Sequence, residues 1–538
     1  MTEKSPREYT LRTVFIALLA GVAMGLFLAP RTFTLRHGSK PAETLSQKMQ
    51  SVMELVQDEY VDAIDGDSAV VNMMNAIMTS LDPHSRYIAA EDLKREVSDM
   101  RGNFEGIGAT LRSDHDTVYV GQTLQKSPAR AAGLRPGDRI ITVDNDTVSG
   151  VKMPIDEVIK RIRGPHGVPV TLGIMHYDGT AVHRVKVGRD VIPTNSVAYS
   201  GLLDPQTGYV RLTRFSETSY REVLDAMEAL EEQGMKALVL DLRGNGGGLL
   251  DAAIRIANEF LHRGDLIVYT QGEHQRRKDV RADGNGSFQD TRLFIMIDEF
   301  SASASEVVSG AIQDNDRGTI VGRRSFGKGL VQQQFDFSDG SAVWLTVARY
   351  YTPSGRCIQR PYDKGTDEYY AEFLNELMAE SGADSTLAKI TDSTPYHTTK
   401  GRIVYGGGGI YPDHVIAYQH DSLIVYYNQL TNHRILERTA YDYVAQHYDE
   451  LLRNYPDEKA FSTRYVIEPA LHDKAIEAGR KSGIAVNENS LAKYSHRIDT
   501  MMKAYMAEYL YSLEAFYSVY LDMDSELQTT LKLMHKAK

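Results

Sequence analysis

The chain has 538 residues, room for three or four domains of ~100–200 residues each. Hydrophobic content is 42% and charged content 25%, ordinary for a folded protein. A net charge of −12, with no long basic run and no Arg/aromatic interleaving, argues against nucleic acid as a partner. The single cysteine, Cys357, excludes an internal disulfide framework and any multi-cysteine metal site.

In chain order, the first feature is "TVFIALLAGVAMGLFLAP" (13–30), uncharged between Arg12 and Arg31 and preceded by Lys4, Arg7 and Arg12. A run of ~18 apolar residues behind a basic flank is just long enough to span a bilayer and has the pattern of an export signal. No A-x-A site follows Ala29, so an uncleaved anchor is expected rather than a cleaved signal peptide. No cysteine follows to carry a lipid. Everything past residue ~40 is then expected outside the cytoplasmic membrane. Residues 41–100 read as a helical arm: 43–60 carries Leu45, Met49, Val52, Met53, Leu55 and Val56 at roughly helical spacing, 68–80 is a second helix, and "LDPHSRYI" (81–88) breaks the pattern.

Residues 101–185 hold short alternating runs, Gly/Pro/Asp turns and one helix opened by Pro154, which predicts a small β-rich module. From ~186 to ~360 apolar strands such as "KALVLDLR" (236–243) and "RLFIMID" (292–298) alternate with the helices 221–234, 250–264 and 305–315. That is an α/β core with crossovers, its strands buried on both faces. Residues 365–428 read as irregular and include "GGGG" (406–409); from ~430 onward the chain is helical, acidic and Tyr-rich.

"VGRRSFGKGLVQ" (321–332) has the Gly-x4-Gly-Lys spacing of a phosphate loop. However, Gly329 stands where the loop needs Ser or Thr, and 330–351 alternates as two strands around Asp339-Gly340 instead of opening a helix. Lys328 therefore has other chemistry available. In "LDLRGNGGGLLD" (240–251) a strand ends in glycines whose N–H groups can converge on one oxygen. In "DEFSASASEVVSGA" (298–311), Ser301, Ser303 and Ser305 stand at a helix start, as caps or as nucleophiles. None of the 16 histidines lies in these loops, but Lys328 does. A lysine of ordinary pKa, about 10.4, is neutral only about one part in a thousand near pH 7.4; a pKa about 3 lower, worth roughly 4 kcal/mol, makes it a base for a serine hydroxyl.

"LDLRGNGGG", "SASASE" and "FGKGLVQ", in this order inside an α/β core, together with "LDPHSRYI" and "GGGGIYPD" (406–413), resemble the C-terminal processing peptidases, or tail-specific proteases. The resemblance covers roughly residues 43–420. It implies an exported serine endopeptidase with a ClpP/crotonase-like α/β core at 186–428, an N-terminal helical arm and a C-terminal helical domain at 429–538. The family spacing to Glu306 and to Lys328 implies Ser303 as nucleophile, Lys328 as general base and Gln332 as the amide that holds the lysine amine. It implies an oxyanion hole of the Ala304 N–H and a glycine N–H, Gly247 first and Gly248 second, with Gly246 where relatives often carry proline. It makes 101–185 a PDZ domain whose loop in "FEGIGATL", Gly106, Ile107 and Gly108, takes a substrate's C-terminal carboxylate and adds the tail to the sheet. No metal or nucleotide cofactor is implied. The expected partners are protein tails, the membrane and, through the helical ends, a second copy of the chain. The alternative is an inactive, membrane-anchored PDZ scaffold in which Ser303 only caps a helix.

Overall fold

The structure is a computed structural model that describes residues 44–177, 179, 181–379, 392–417 and 421–536. The apolar run 13–30 lies outside the described residues. Among the described ones, no helix is long and apolar enough to cross a membrane. The chain divides into two compact units, residues 1–72 and 73–538. In the first, α1 (Leu45–Glu59) opens on a capping box in which Thr44 accepts from the Gln47 N–H and Gln47 reaches back to the Thr44 N–H; α2 (Gly66–Leu81) starts there and runs on into the second.

The expected arm is not helical throughout. After α2 come β1 (Arg86–Ile88) and α3 (Ala90–Arg101), which ends at Gly102 in the left-handed conformation. Then β2 (Asn103–Gly106) pairs with β9 (Asp190–Pro193), so both connections of the inserted domain run side by side. Between them the domain has the strands β3 (Ala109–Asp114), β4 (Thr117–Thr123), β5 (Arg139–Val143), β6 (Asp146–Thr147), β7 (Val170–Met175) and β8 (His183–Val187). Their order is β3-β4-β5-β7-β8, with β6 folded onto β5 and β3 at an edge. Helices α4 (Pro128–Ala131) and α5 (Ile155–Ile162) close over a core of Val120, Ile140, Val158, Leu172 and Ile174. Pro154 is the cap residue of α5 rather than its first turn.

The α/β core follows: β10 (Val197–Asp204), β11 (Thr207–Leu212), α6 (Ser219–Glu232), β12 (Ala237–Asp241), α7 (Leu250–Asn258), β13 (Leu266–Gln271), β14 (Lys278–Arg281), β15 (Arg292–Ile297), α8 (Ala304–Asp314) and β16 (Thr319–Gly322). Strands β11, β12, β15 and β16 are parallel neighbours, and their register lays Val210, Leu240, Ile295 and Ile320 in one row. That row packs under α6, α7 and α8 through Met227, Ile256 and Val308. The opposite face, with Tyr209, Val239, Phe294 and Met296, is covered by Leu521, Leu527 and Met534 of the C-terminal helices. Both faces being covered explains the apolar run in β12, where Leu238, Val239 and Leu240 each stabilise by about 1.5–3 kcal/mol on burial.

The strands expected at 330–351 are β17 (Leu330–Asp336) and β18 (Ala342–Tyr351), an antiparallel hairpin; β18 also pairs with β1 and β13. The stretch 365–428 is not all irregular. It contains α9 (Thr366–Ala379), whose Tyr369 and Phe373 are buried one turn apart amid charged residues that masked the periodicity. It also contains β19 (Asp392–His397), β20 (Ile403–Gly406) and β21 (His414–Val415).

The C-terminal domain is helical as expected: α10 (Ile424–Asn432), α11 (Ile435–Asn454), α12 (Glu458–Arg464), α13 (Pro469–Lys481), α14 (Glu488–Leu510), α15 (Leu513–Tyr520) and α16 (Ser525–Lys536). It grips the inserted domain. Buried Tyr441 donates from its hydroxyl to the Val120 carbonyl at 2.6 Å and accepts from the Gly137 N–H at 2.9 Å; Gln122 Nε2 donates to the Glu508 carbonyl at 2.6 Å, and Arg135 pairs with Asp449 at 2.6 Å. Tyr441→Phe removes both bonds of the Tyr441 hydroxyl while the Gly137 N–H keeps its own bond to the Val120 carbonyl at 3.0 Å, so the cost is that of the lost bonds, about 0.5–1.5 kcal/mol each. The expected outcome is faster amide hydrogen exchange at residues 118–122 and 137, with exchange in β12 and β15 unchanged.

Candidate active site

The site grows from the carboxyl ends of β12, β15 and β16, where parallel strands deliver their loops to one edge of the sheet. The glycine turn after β12 is built around buried Asn245. Its Nδ2 donates to the Leu212 carbonyl, its Oδ1 accepts the Gly247 N–H at 2.9 Å, and its carbonyl accepts the Ala302 N–H and the Ser305 hydroxyl.

The three serines separate by what they touch. Ser301 is fully buried and donates to the Leu242 carbonyl; Ser305 is fully buried and bonded to Asn245. Both hydroxyls stitch the serine turn to the glycine turn. Ser303 is half-buried, sits at φ 55°, ψ −110° as the cap residue of α8, and lines a cavity of about 390 Å³. An L-residue at that φ is strained, and the strain is held by the bonds around it.

Lys328, Gln332, Ala304, Gly246 and Gly248 line the same cavity, so the serine, lysine and glutamine expected to act together share one space. The rest of its wall is largely apolar, with Leu249, Val307, Leu330 and Trp344. None of the described contacts is a direct hydrogen bond between Ser303 Oγ and Lys328 Nζ, and Gln332 Nε2 donates to Thr346 Oγ1 at 3.1 Å. Such bonds are commonly loose before substrate arrives.

The glycine donor expected at Gly247 is corrected by the geometry. The Gly247 N–H is engaged by Asn245 Oδ1, and Gly247 does not line the cavity. Gly248 does, at φ 138°, where an added Cβ would lie 2.1 Å from the Phe215 carbonyl oxygen. Neither the Gly248 nor the Ala304 N–H has an acceptor among the described residues.

Sequence reasoning used Glu306 only as a spacing mark. In the fold it is fully buried and ties the two loops together. Its Oε2 accepts the N–H groups of Ser303 at 2.7 Å and Lys328 at 2.9 Å; its Oε1 accepts the Ser325 hydroxyl at 2.6 Å and the Gly327 N–H at 2.7 Å. Burial pushes this carboxyl's pKa up, and the four donated bonds oppose that by favouring the ionised form. The glycine tract of 406–410 backs the lysine loop: Ser325 Oγ accepts the Ile410 N–H at 2.6 Å, and a Cβ on Gly409 would lie 2.3 Å from the Ser325 carbonyl oxygen.

The "LDPHSRYI" turn also belongs to the site. Asp82 folds it by accepting from the His84 and Ser85 N–H groups, and Ser85 Oγ accepts the Thr346 N–H at 3.0 Å. Burial lowers the pKa of Lys328, and the charge of Arg86 lowers it further, against Glu306 and Asp82. Burial, then Lys328, holds His84 down at about 3, so this histidine is neutral at ordinary pH; it meets Tyr369 Oη at 3.3 Å. A histidine does stand beside the lysine, then, though no local motif announced it.

In the inserted domain, Ile107 and Gly108 are buried, with carbonyls held by the Ala129 and Leu124 N–H groups. Their own N–H groups have no acceptor among the described residues. Gly108 sits at φ 73°, where a Cβ would lie 2.4 Å from Ser127 Cβ. Gly106 is the last residue of β2, in register with Asp190. The loop thus ends beside the unpaired edge of β3, against which α5 packs.

A strained serine at a helix start beside a glycine turn, with an inserted domain of this topology, defines a serine-type peptidase core carrying a PDZ domain. The sequence profile of peptidase family S41 matches residues 206–367 and that of the PDZ domain 96–175; a family of unknown function matches 426–512. The carboxy-terminal-processing protease of Bartonella bacilliformis is 35% identical over 354 residues, covering 64% of this chain and 80% of that protein. The carboxy-terminal processing protease CtpA of Bacillus subtilis is 32% identical over 357 residues, covering 65% and 75%. Among solved structures, a photosystem II D1 C-terminal processing protease is 31% identical over 58% of this chain and 83% of its own, with a TM-score of 0.33. The chain belongs to the carboxy-terminal processing protease family, within peptidase family S41.

Two outcomes are expected here. Glu306→Gln sets an amide NH2 against N–H donors; turnover of an unstructured protein substrate should fall about 100-fold or more, with stability lower by about 2 kcal/mol or more in denaturant titration. Lys328→Met should stabilise. Because burial depresses the folded-state pKa of Lys328, the unfolded chain binds more protons between the two pKa values. Stability therefore rises with pH across that window, and the penalty is fully present below it. Lys328→Met should raise the denaturation midpoint at neutral and acidic pH, with the gain fading as pH climbs through the window.

Proposed function

We propose that this serine-type peptidase is a cell-envelope endopeptidase. Its PDZ domain captures a protein's C-terminal tail, and its core hydrolyses the peptide bond with Ser303 as nucleophile and Lys328 as general base. The observation that carries this reading is that Ser303 and Lys328 share both one cavity and one carboxylate, Glu306.

The tail's carboxylate would take the unaccepted N–H groups of Ile107 and Gly108, and the tail would extend β3 as an added strand. A segment in the cavity presents its carbonyl to Ser303 Oγ. Attack forms the C–O bond while the hydroxyl proton passes to neutral Lys328 Nζ, with Gln332 as the uncharged neighbour. The oxyanion is taken up by the Ala304 and Gly248 N–H groups, aimed where charge develops. Lys328 then protonates the leaving amine, and the acyl-enzyme forms. Water, deprotonated by Lys328, releases the acid and restores the serine. Every step uses side chains and backbone of this chain.

The apolar run 13–30 would anchor the chain with its bulk in a bacterial periplasm, and recovery of the full chain in washed membranes is the check on that part. The catalytic assignment predicts that Ser303→Ala and Lys328→Ala abolish cleavage of a tailed substrate, read by product mass; cleavage by Ser303→Ala at the wild-type rate would sink it. A pH prediction follows from the sign of the lysine shift. The neutral amine is the active form, so activity rises with pH through the depressed pKa. Arg86→Gln removes a positive neighbour, raises that pKa, and moves the rising limb of kcat/KM to higher pH.

A further inference from the structure

Arg243 lies two residues past β12 and immediately precedes the glycine turn; Arg323 lies one residue past β16 and leads into the lysine loop. Both side chains are nearly buried, with 10% and 8% exposure, and neither lines the cavity. What joins them comes from more than 200 residues away. Glu526, in the first turn of α16, takes Arg243 Nη1 on Oε2 at 2.8 Å and Arg323 Nη1 on Oε1 at 2.5 Å. Asp524 takes Arg243 Nη2 on Oδ2 at 2.6 Å, while its Oδ1 accepts the Glu526 and Leu527 N–H groups and so fixes the start of the helix.

The pair closes a charge network under the sheet. Arg243 also binds Asp241, which burial alone would push up but which the guanidinium groups of Arg243 and Arg211 hold well below the usual carboxylate range. Arg323 also binds Glu299, two residues past β15. The three strands that deliver the candidate catalytic loops are thus tied just beyond their ends, β15 to β16 through Glu299 and Arg323, and β12 to β16 through Glu526. A carboxylate with one arginine on each oxygen fixes a distance, because its two oxygens are rigidly spaced and both bonds are charge-assisted. The residues of α16 lie outside both the S41 match and the match to the family of unknown function.

We infer that Glu526, braced by Asp524, is a positioning residue of the peptidase: by bridging Arg243 and Arg323 it sets the spacing between the glycine turn and the lysine loop, so the C-terminal domain completes the catalytic site. The inference rests on the Ser303/Lys328 reading. A merely structural role would be shared by any buried residue of the same helix, such as Met534, which packs in the apolar cluster under the sheet with 1% exposure.

The test uses the full chain with Glu526→Gln, Glu526→Asp, Met534→Ala and Ser303→Ala. Two rates are read well below each unfolding temperature: turnover of a tailed protein substrate, and second-order labelling of the nucleophile by a fluorophosphonate. The expected result is a roughly tenfold loss in kcat and in labelling rate for Glu526→Gln, with KM within about twofold. Met534→Ala should unfold at a lower temperature with both rates unchanged. If Glu526→Gln does not fold, Glu526→Asp decides: it keeps the charge, is one methylene too short to hold both arginines, and should also label slowly. Wild-type labelling by whichever Glu526 variant folds, or a loss matched by Met534→Ala, overturns the inference. Labelling that survives Ser303→Ala would instead overturn the catalytic assignment, so the two failures are distinct.

Discussion

The carboxylate of Glu306 is the interaction on which the site depends. It sits in α8, where its two oxygens collect the N–H groups of Ser303, Gly327 and Lys328 and the hydroxyl of Ser325. An ionised carboxylate accepts and never donates, so all four donors can be satisfied at once only while it is charged. The gross cost of burying that charge is large, and the bonds that offset it all run to the two segments that carry the candidate nucleophile and base. The strained φ of Ser303, the lysine loop and the glycine tract behind it are therefore consequences of one anion's demand for donors.

Around that anion, burial and the charge of Arg86 lower the pKa of the lysine. Lys328 is removed from water, faces Arg86, and has for a neighbour a histidine that burial keeps neutral. The nearest carboxylates act against this arrangement, but Glu306 is occupied by backbone donors and Asp82 by its own turn. Gln332, an amide, adds no charge to the same cavity. In a medium of low dielectric these placements count for more than they would on the surface. On the proposed mechanism, the base would thus be readied by the fold before any substrate arrives.

Much of this was legible in the sequence where the chemistry is local. β12 and β15 show as apolar runs because both faces are covered, and the hairpin at 330–351 shows as alternation, which ruled out a phosphate loop for Lys328. Ser303 could be singled out only by family spacing; the fold adds that the hydroxyls of Ser301 and Ser305 are bonded to the glycine turn while Ser303 lines the cavity. The choice of Gly247 failed because an Asn245 side chain two residues earlier takes its N–H, a competition that glycine counting does not reveal. Helix α9 was hidden by its charged residues, and His84 and Arg86 by some 240 residues of intervening chain. Contacts between distant segments leave no local period, so nothing in the sequence singles out Asp524 and Glu526.

The covered underside of the core sheet has a consequence for biogenesis. Tyr209, Val239, Phe294 and Met296 take much of their apolar cover from Leu521, Leu527 and Met534, far along the chain. A polypeptide emerging from the ribosome thus holds a sheet with an incomplete underside until these closing helices arrive. On the proposed function, proteolytic competence would wait for that closure.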